Sequence, residues 1–294
     1  MEQNISTIEI TEKMGEKSRR IKTIRPPSFA PSRIFSDVVE LWHYRDLLLT
    51  LGLHRIKVRY KQSALGVAWA ILQPLAMMLI FTVIFTVITR VPSTSSLPYP
   101  VLVFPALIIW GYFSTSLTAA TNGLVSHNQL VTKVYFPREI LPLTYLFAGL
   151  FDFLIAVPLL LGLMFYYQVP LTLYVLYAFP ILLIVTIFLA SASLILSAIQ
   201  VRFRDIGVAL PLLLQIWMFA SPVVYPIDAI PERFRAFYML NPMAGTIENF
   251  RRVMVEGVAP DLGQLGVAAI VAIILLPIAY ILFKHMESTV ADII

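Results

Sequence analysis

The chain has 294 residues, of which 59% are hydrophobic and only 13% are charged. Soluble domains are typically about 45–50% apolar and about 25% charged, so this composition excludes an ordinary soluble domain and indicates a chain that is solvated by lipid. The chain has no cysteine, which excludes disulfides and thiolate metal sites. Its formal charge of +5 is typical of a membrane protein with basic cytosolic flanks.

The N-terminal region divides into two parts. Residues 1–36 are charged and contain prolines, and we expect a disordered cytosolic tail because they have little to bury. Residues 37–62 predict an amphipathic helix at the cytosolic membrane interface, since an apolar arc that excludes Leu47 and Leu51 lies beside a basic run from Arg55 to Lys61. The alternative is a solvated helix that packs on protein.

Residues 63–294 predict a transmembrane domain of six helices, because a bilayer core needs about 20 apolar residues per helix. The fifth span is short and is bracketed by Pro211 and Pro222. Residues 228–262, which follow it, suit re-entrant helices on the external side. The fold class is therefore an all-α integral membrane protein. The expected spans cover residues 64–89, 99–121, 141–167, 171–199, 208–224 and 265–283.

The distribution of basic residues predicts the orientation. Seventeen of the 22 Lys and Arg residues lie before the first span, between the second and third, between the fourth and fifth, or after the sixth. Because basic loops stay in the cytosol, we expect both termini there.

The sequence disfavours several membrane functions. It has no Gly-x-x-x-x-Gly-Lys-Ser/Thr loop to cradle ATP phosphates. Its four histidines are isolated, so no catalytic or metal site is expected and a membrane enzyme is disfavoured. Asp152 is the clear ionisable group within a span, and it lies either in a transport pathway or in a helix-pairing hydrogen bond. A single ionisable residue within the spans gives little support for an ion-coupled carrier.

Five stretches, in order along the chain, resemble the permease subunits of ABC-type polysaccharide exporters, a family that moves O-antigen, capsular polysaccharide and teichoic acid. The stretches are RYKQSALGVAW at 59–69 with QPL at 73–75, KVYFPREILP at 133–142, RFRDI at 202–206, SPVVYP at 221–226, and NP at 241–242 leading into IENFR at 247–251. The resemblance covers the chain from about residue 37 to its end.

The resemblance implies a transport subunit of the bacterial inner membrane that is not itself an enzyme. Two copies would pair and bind two separate ATP-binding subunits, which would carry ATP and Mg, so no cofactor is expected in this chain. The cargo would be a polyprenyl glycan linked through pyrophosphate. The alternatives are an ABC-type exporter of another amphiphile, such as a drug or a lipid, and an ion-coupled carrier that uses Asp152.

The resemblance also implies roles for particular residues. The second cytosolic loop, at about residues 126–139, would be the coupling helix that contacts the ATPase, and the 202–205 turn would add a second contact; the alternative for both is a charged topology loop. These coupling residues are Leu130, Val131, Lys133, Tyr135, Phe136, Pro137, Arg138, Glu139, Arg204 and Asp205.

Two further groups of residues are implied. The first would line the substrate pathway through basic and aromatic side chains, together with the carboxylate of Asp152. The second would form an external gate, with an exposed external helix as the alternative. The pathway group is Arg55, Lys57, Arg59, Lys61, Trp69, Phe81, Phe85, Asp152, Phe219 and Tyr225; the gate group is Pro222, Asn241, Pro242, Glu248, Asn249 and Arg251.

Overall fold

The computed structural model describes residues 41–61, 63–88, 97–134, 136–227 and 230–293, and within these ranges the secondary structure is helical, with no strand. The predicted all-α fold is thereby confirmed. The tail expected for residues 1–36 lies outside the described residues. Five of the described helices are long and apolar enough to cross a membrane: Gly66–Thr86, Tyr99–Thr121, Ile140–Tyr166, Leu173–Arg202 and Leu262–Glu287.

The helices are numbered in chain order. A 3-10 turn at Gly66–Ala68 precedes α2, a π-helical segment at Val83–Ile88 continues it, and a 3-10 turn at Leu173–Tyr177 precedes α7. The π-helical segment Arg252–Glu256 follows α10. The helices are α1 Arg45–Lys61, α2 Trp69–Thr82, α3 Tyr99–Thr121, α4 Gly123–Ser126, α5 Asn128–Lys133, α6 Ile140–Tyr166, α7 Ala178–Arg202, α8 Ile206–Phe219, α9 Glu232–Met239, α10 Pro242–Arg251 and α11 Leu262–Ile293.

The predicted fifth span differs from the helix that is present. α8 has 14 residues, or about 21 Å at about 1.5 Å per residue, which is shorter than the roughly 30 Å of a bilayer core. Residues 220–224 form a turn instead of a last helical turn, because the carbonyls of Pro222 and Val223 accept hydrogen bonds from Arg251. A count of six spans therefore stays a prediction.

α3 is the central helix of the bundle. Every residue from Val101 to Trp110 is buried, and α3 packs against α2, α6, α7, α8 and α10. Most of the other spanning helices expose apolar side chains on their outer faces, as expected for helices that have lipid as their solvent. α3 thus sets the position of the helices around it.

The buried apolar residues form two clusters. The larger surrounds α3 within the helical bundle. The smaller, which we name the second core, lies at one end of the bundle and joins α4, α5, the start of α6, the end of α7 and the end of α11. Its members are Leu124, Val131, Phe136, Ile140, Leu141, Leu194, Ala198, Val201, Ala279, Tyr280 and Phe283.

α1 lies across α6 beside the second core. Gly52 is buried, and a Cβ atom there would lie 2.6 Å from a ring carbon of Phe147, so glycine permits the close approach. Leu47 and Leu51, outside the apolar arc expected for this helix, pack against the second core, whereas Leu49 and Leu53 are exposed. The helix therefore has one protein-facing side and one exposed apolar side.

Candidate functional site

A groove runs along α3 between α2 and α8, which each pack on α3. Three adjoining cavities of about 180, 520 and 260 Å³ compose it. They share lining residues, including Met77, Thr115 and Asp152, so they form a continuous concave surface. We name this surface the α3 groove. Its polar lining residues include Arg59, Tyr60, Gln73, Ser114, Thr115, Thr118, Asn122, Asp152 and Gln215.

The hydroxyl groups along the α3 groove retain the capacity to bind a ligand. Thr115 and Thr118 each donate to the carbonyl four residues earlier, at 2.7 and 2.8 Å, which leaves the oxygen lone pairs free to accept. The sequence does carry a signal for this stripe, since Ser114, Thr118 and Asn122 recur every four residues within an otherwise apolar span. None of these three residues is among the expected pathway residues, most of which are aromatic or basic.

Asp152 closes one end of the α3 groove. Its carboxylate forms an ion pair with Arg59 and accepts a hydrogen bond from the hydroxyl of Tyr60. Burial, followed by the hydrogen bond to Asp152, raises the pKa of the Tyr60 phenol, which stays protonated and donates. Asp152 thus both lines the groove and pairs α6 with α1, while its place in a transport pathway stays a prediction.

The predicted basic pathway residues fall in different environments. Arg55 is half-buried: its Nε donates to Thr144 Oγ1 at 2.6 Å and its guanidinium lies 3.7 Å from the ring centroid of Tyr145. Burial lowers the pKa of Arg55. Lys57 and Lys61 are exposed. The structure therefore brings Arg59 to the groove and places Arg55 in a packing role beneath α1.

The predicted aromatic residues are also dispersed. Trp69 is half-exposed and lines the same cavity as Asp152. Phe81 is buried, and Phe85 stacks on Tyr99 with ring centroids 5.5 Å apart. Phe219 is exposed, and its carbonyl accepts a hydrogen bond from Tyr225 Oη at 2.7 Å. Of these aromatic residues, the described cavities place only Trp69 in the α3 groove.

The predicted coupling segment is built on α4 and α5. Val131 and Phe136 are buried in the second core, and Glu139 is 1% exposed. The exposed side chains of this segment include Lys133 and Val134, while Leu130 is partly buried against the second core. Pro137 is buried, Arg138 donates to the carbonyl of Glu287 at 2.8 Å, and Tyr135 lies outside the described residues.

The turn between α7 and α8 is held from beneath by Gln200. Its side chain donates to the carbonyl of Arg204 at 3.2 Å and accepts from the backbone N–H of Gly207 at 2.7 Å. It also donates to Asn122 Oδ1 at 3.2 Å, which ties the turn to the end of α3. The side chains of Arg204 and Asp205 are exposed.

The predicted gate residues converge at the opposite end of the bundle. Asn241 caps α10, since its Oδ1 accepts from the Met243 N–H at 3.1 Å and from Trp217 Nε1 at 3.3 Å. Pro242 occupies the first turn, where its missing N–H is not needed. α10 is buried from Met243 to Arg251. α10 is therefore a buried helix, and its role as an external gate stays a prediction.

Arg251 connects several elements of this region through its side chain. Its side chain is 1% exposed, pairs with the buried Glu248, and donates to the carbonyl of Leu102 at 2.9 Å and to that of Pro222 at 2.7 Å. These contacts join α10 to α3 and to the turn after α8. Asn249 is fully buried, and its Oδ1 accepts from the Asp261 N–H at 2.6 Å.

Comparison with known proteins identifies the family. The family model described as ABC-2 type transporter matches residues 47–255. The O-antigen export system permease protein RfbA of Myxococcus xanthus is 35% identical over 260 residues, 87% of this chain and 98% of that protein. The Klebsiella pneumoniae protein of that name is 28% identical over 250 residues, which are 85% of this chain and 95% of that protein.

A relative with another substrate in its name also matches. The polysialic acid transport protein KpsM of Escherichia coli is 26% identical over 246 residues, which are 81% of this chain and 92% of that protein. The family match spans α1 to α10, and five apolar helices within the described part of the chain are long enough to cross a membrane. The chain is therefore a multi-pass membrane component of the ABC-2 type transporter family.

Proposed function

We propose that this chain is the membrane subunit of an ATP-driven exporter of lipid-linked polysaccharide, working as two copies bound to two ATP-binding subunits. The observation that carries the proposal is the α3 groove, whose hydroxyl, amide and carboxylate groups lie along membrane-spanning helices. Polar groups at membrane depth are costly unless they line a cavity or meet partners. Relatives named for O-antigen export and polysialic acid transport supply the class of cargo.

The lining of the α3 groove suits a sugar polymer better than the alternative cargoes. Glycan hydroxyls both donate and accept, which matches amides such as Gln73 and Gln215 and hydroxyls such as Thr115. A lipid tail, which has no hydrogen-bonding groups, would gain little from these polar groups. The carboxylate of Asp152 is paired with Arg59, so Asp152 is not the vacant intramembrane acid that would favour an ion-coupled carrier.

The ATP-binding subunits would dock at the end of the bundle that carries the second core. Exposed Lys133 and Val134, with Arg204 and Asp205 on the neighbouring turn, offer the contact surface. Val131 and Phe136 support this surface from within, and Tyr135 keeps its proposed contact role. ATP and Mg would bind the partner subunits, and this end of the bundle, with both termini, would face the cytosol.

The lipid anchor of the cargo would be attracted to α1. Lys57 and Lys61 are exposed there and flank Arg59 at the mouth of the α3 groove. Basic side chains near the membrane surface attract phosphate headgroups. At the opposite end, α10 and the turn at Pro222 would form the external gate through which the polymer leaves.

A co-purification tests the proposal. The full chain is tagged, expressed with a candidate ATP-binding subunit, and reconstituted in nanodiscs, where ATP hydrolysis is measured with polyprenyl-linked glycan and with polyprenyl phosphate alone. We expect a stable complex whose hydrolysis rises with the glycan more than with the lipid phosphate. A complex stimulated equally by both would favour a lipid cargo, and the absence of any complex would overturn the proposal.

A further inference from the structure

α11 extends along the whole bundle. Its 32 residues span about 48 Å at about 1.5 Å per residue, and the helix continues through Pro277. It packs extensively against α7. Buried residues recur along one side at helical spacing, and several of them are small, which permits close packing. They are Leu265, Ala268, Ala272, Ala279 and Phe283.

One end of α11 is fastened to the coupling segment. Lys284 Nζ lies 3.0 Å from Glu139 Oε1 and 3.1 Å from Glu139 Oε2. The hydroxyl of Tyr280 donates to Glu139 Oε1 at 3.4 Å, and Arg138 donates to the carbonyl of Glu287 at 2.8 Å. Glu139 is 1% exposed, and burial raises its pKa, so the ionised carboxylate depends on Lys284 for its compensation.

The other end of α11 is fastened to α10. The backbone N–H of Asp261, which precedes the helix, donates to Asn249 Oδ1 at 2.6 Å. The backbones of α10 and α11 also approach closely, since a Cβ at Gly245 would lie 3.2 Å from the carbonyl oxygen of Gln264. A single helix thus contacts the coupling segment at one end and the gate helix at the other.

We propose that Glu139 and Lys284 are positioning residues through which α11 carries movement of the coupling segment to α10. The inference rests on the proposed function, because the movement originates in the ATP-binding subunits. The physical basis is that a close-packed helix moves as a unit instead of deforming continuously. Each attachment is a polar contact to a buried side chain, Glu139 at one end and Asn249 at the other, and a buried polar group is costly to leave without its partner.

The alternative route is through the covalent neighbours of the coupling segment. α3 precedes the segment and α6 follows it, so both would move with it even without Lys284. In that case the pair between Glu139 and Lys284 would affect only stability. The ratio of glycan exported to ATP hydrolysed separates the two routes, because a purely structural role lowers the amount of folded protein and leaves that ratio unchanged.

The experiment compares Lys284→Met, Glu139→Gln and the exchange Glu139→Lys with Lys284→Glu in the reconstituted complex. Glu287→Gln is the matched control, since it removes the other carboxylate that pairs with Lys284 at 3.0 Å and leaves Glu139 in place. Lys284→Arg keeps the positive charge and is the conservative variant, and Glu139→Gln breaks the same pair if the methionine variant folds poorly. In each complex the export of glycan and the hydrolysis of ATP are measured together.

We expect Lys284→Met and Glu139→Gln to lower the ratio of export to hydrolysis about tenfold, in the range of coupling energies between contacting residues. Lys284→Arg and the exchanged pair should recover most of the ratio, and Glu287→Gln should retain it. A wild-type ratio in the single variants would overturn this inference alone. A wild-type complex without glycan-stimulated hydrolysis would instead overturn the proposed function and this inference with it.

Discussion

Arg59 at the end of α1 and Asp152 in the middle of α6 form an ion pair between residues 93 positions apart in the sequence. The pair fastens the helix that precedes the first span to the third predicted span. It also sets one wall of the α3 groove, which both side chains line. The position of α1 and the shape of the groove are therefore determined by the same contact.

Removing either member of this pair should weaken the attachment of α1. Arg59→Gln and Asp152→Asn are each expected to lower the melting temperature in detergent, with a coupling of about 1 kcal/mol in the double-mutant cycle because Arg59 is partly exposed. Asp46→Asn, on an exposed side chain of the same helix, is the control and should change little. Equal effects of the double variant and the sum of the singles would show that the pair contributes nothing.

The packing of α1 on α6 depends on the absence of a side chain at Gly52. Gly52→Leu should displace α1, because even a Cβ there would lie 2.6 Å from the Phe147 ring. Proteolysis and hydrogen exchange of residues 45–61 would detect the displacement. Combining Gly52→Ala with Phe147→Leu should restore most of the protection that Gly52→Ala loses, whereas failure of this compensation would place the constraint elsewhere.

Much of the fold could be predicted from the sequence because the bilayer imposes a length on each apolar helix. The second span was expected at residues 99–121 and is present as Tyr99–Thr121. The fifth differs because helix termination at Phe219 depends on carbonyl contacts with Arg251, 32 residues later. Hydropathy along the chain does not contain such a tertiary contact.

The site was less predictable for a related reason. The sequence shows which residues are polar or aromatic within a span, but it does not show which face of a helix points toward protein. Val131 and Phe136 were expected as surface anchors and lie in the second core, whereas Thr118 was unremarked and lines the α3 groove. The residue types in the sequence show which chemical groups are available, whereas the packing of the helices determines where those groups lie.

Filling the α3 groove should block transport without unfolding the chain. Thr118→Trp places a large ring in the cavity of about 520 Å³ between α3 and α8, so we expect most glycan export to be lost while the complex with the ATP-binding subunit still assembles. Ile270→Trp adds the same ring to an exposed position on α11 and is the control. Export by Thr118→Trp at the level of this control would remove the groove from the pathway.

Arg251 should be among the most sensitive positions. Arg251→Met leaves the buried Glu248 carboxylate without its partner and removes donors to the carbonyls of Leu102 and Pro222. The expected loss is about 3–5 kcal/mol, measured by denaturation in mixed micelles. Arg252→Gln is the matched control, since Arg252 is more exposed and its side chain donates to the Ala259 carbonyl at 3.2–3.3 Å. If Arg251→Met lost no more stability than the control, the contacts of Arg251 with α3 and with the turn after α8 would not stabilise the fold.

His127 should make the attachment of α1 sensitive to acid. Burial, and then the positive charge of Arg55, lowers the pKa of His127, with His54 acting in the same direction and the Gly123 carbonyl opposing it. The neutral ring can accept from Arg55 Nη1, 3.4 Å from its Nε2. The unfolded chain binds this proton more tightly than the folded protein does. The neutral ring of His127 therefore contributes to the free energy of unfolding above pH about 6.5, and this contribution is lost as the pH falls through the lower pKa that His127 has in the folded protein.

The melting temperature of the wild type should therefore decrease between pH 7.5 and pH 5.5 by more than that of His127→Gln, which has no ring to protonate. Relative to the intrinsic exchange rate at each pH, the loss of hydrogen-exchange protection at low pH should be concentrated in α1 and α4, the two elements that His127 joins through Arg55 and Gly123. His285→Gln, at an exposed position on α11, should keep the wild-type pH dependence. The same pH dependence in the wild type and in His127→Gln would assign the effect to another group.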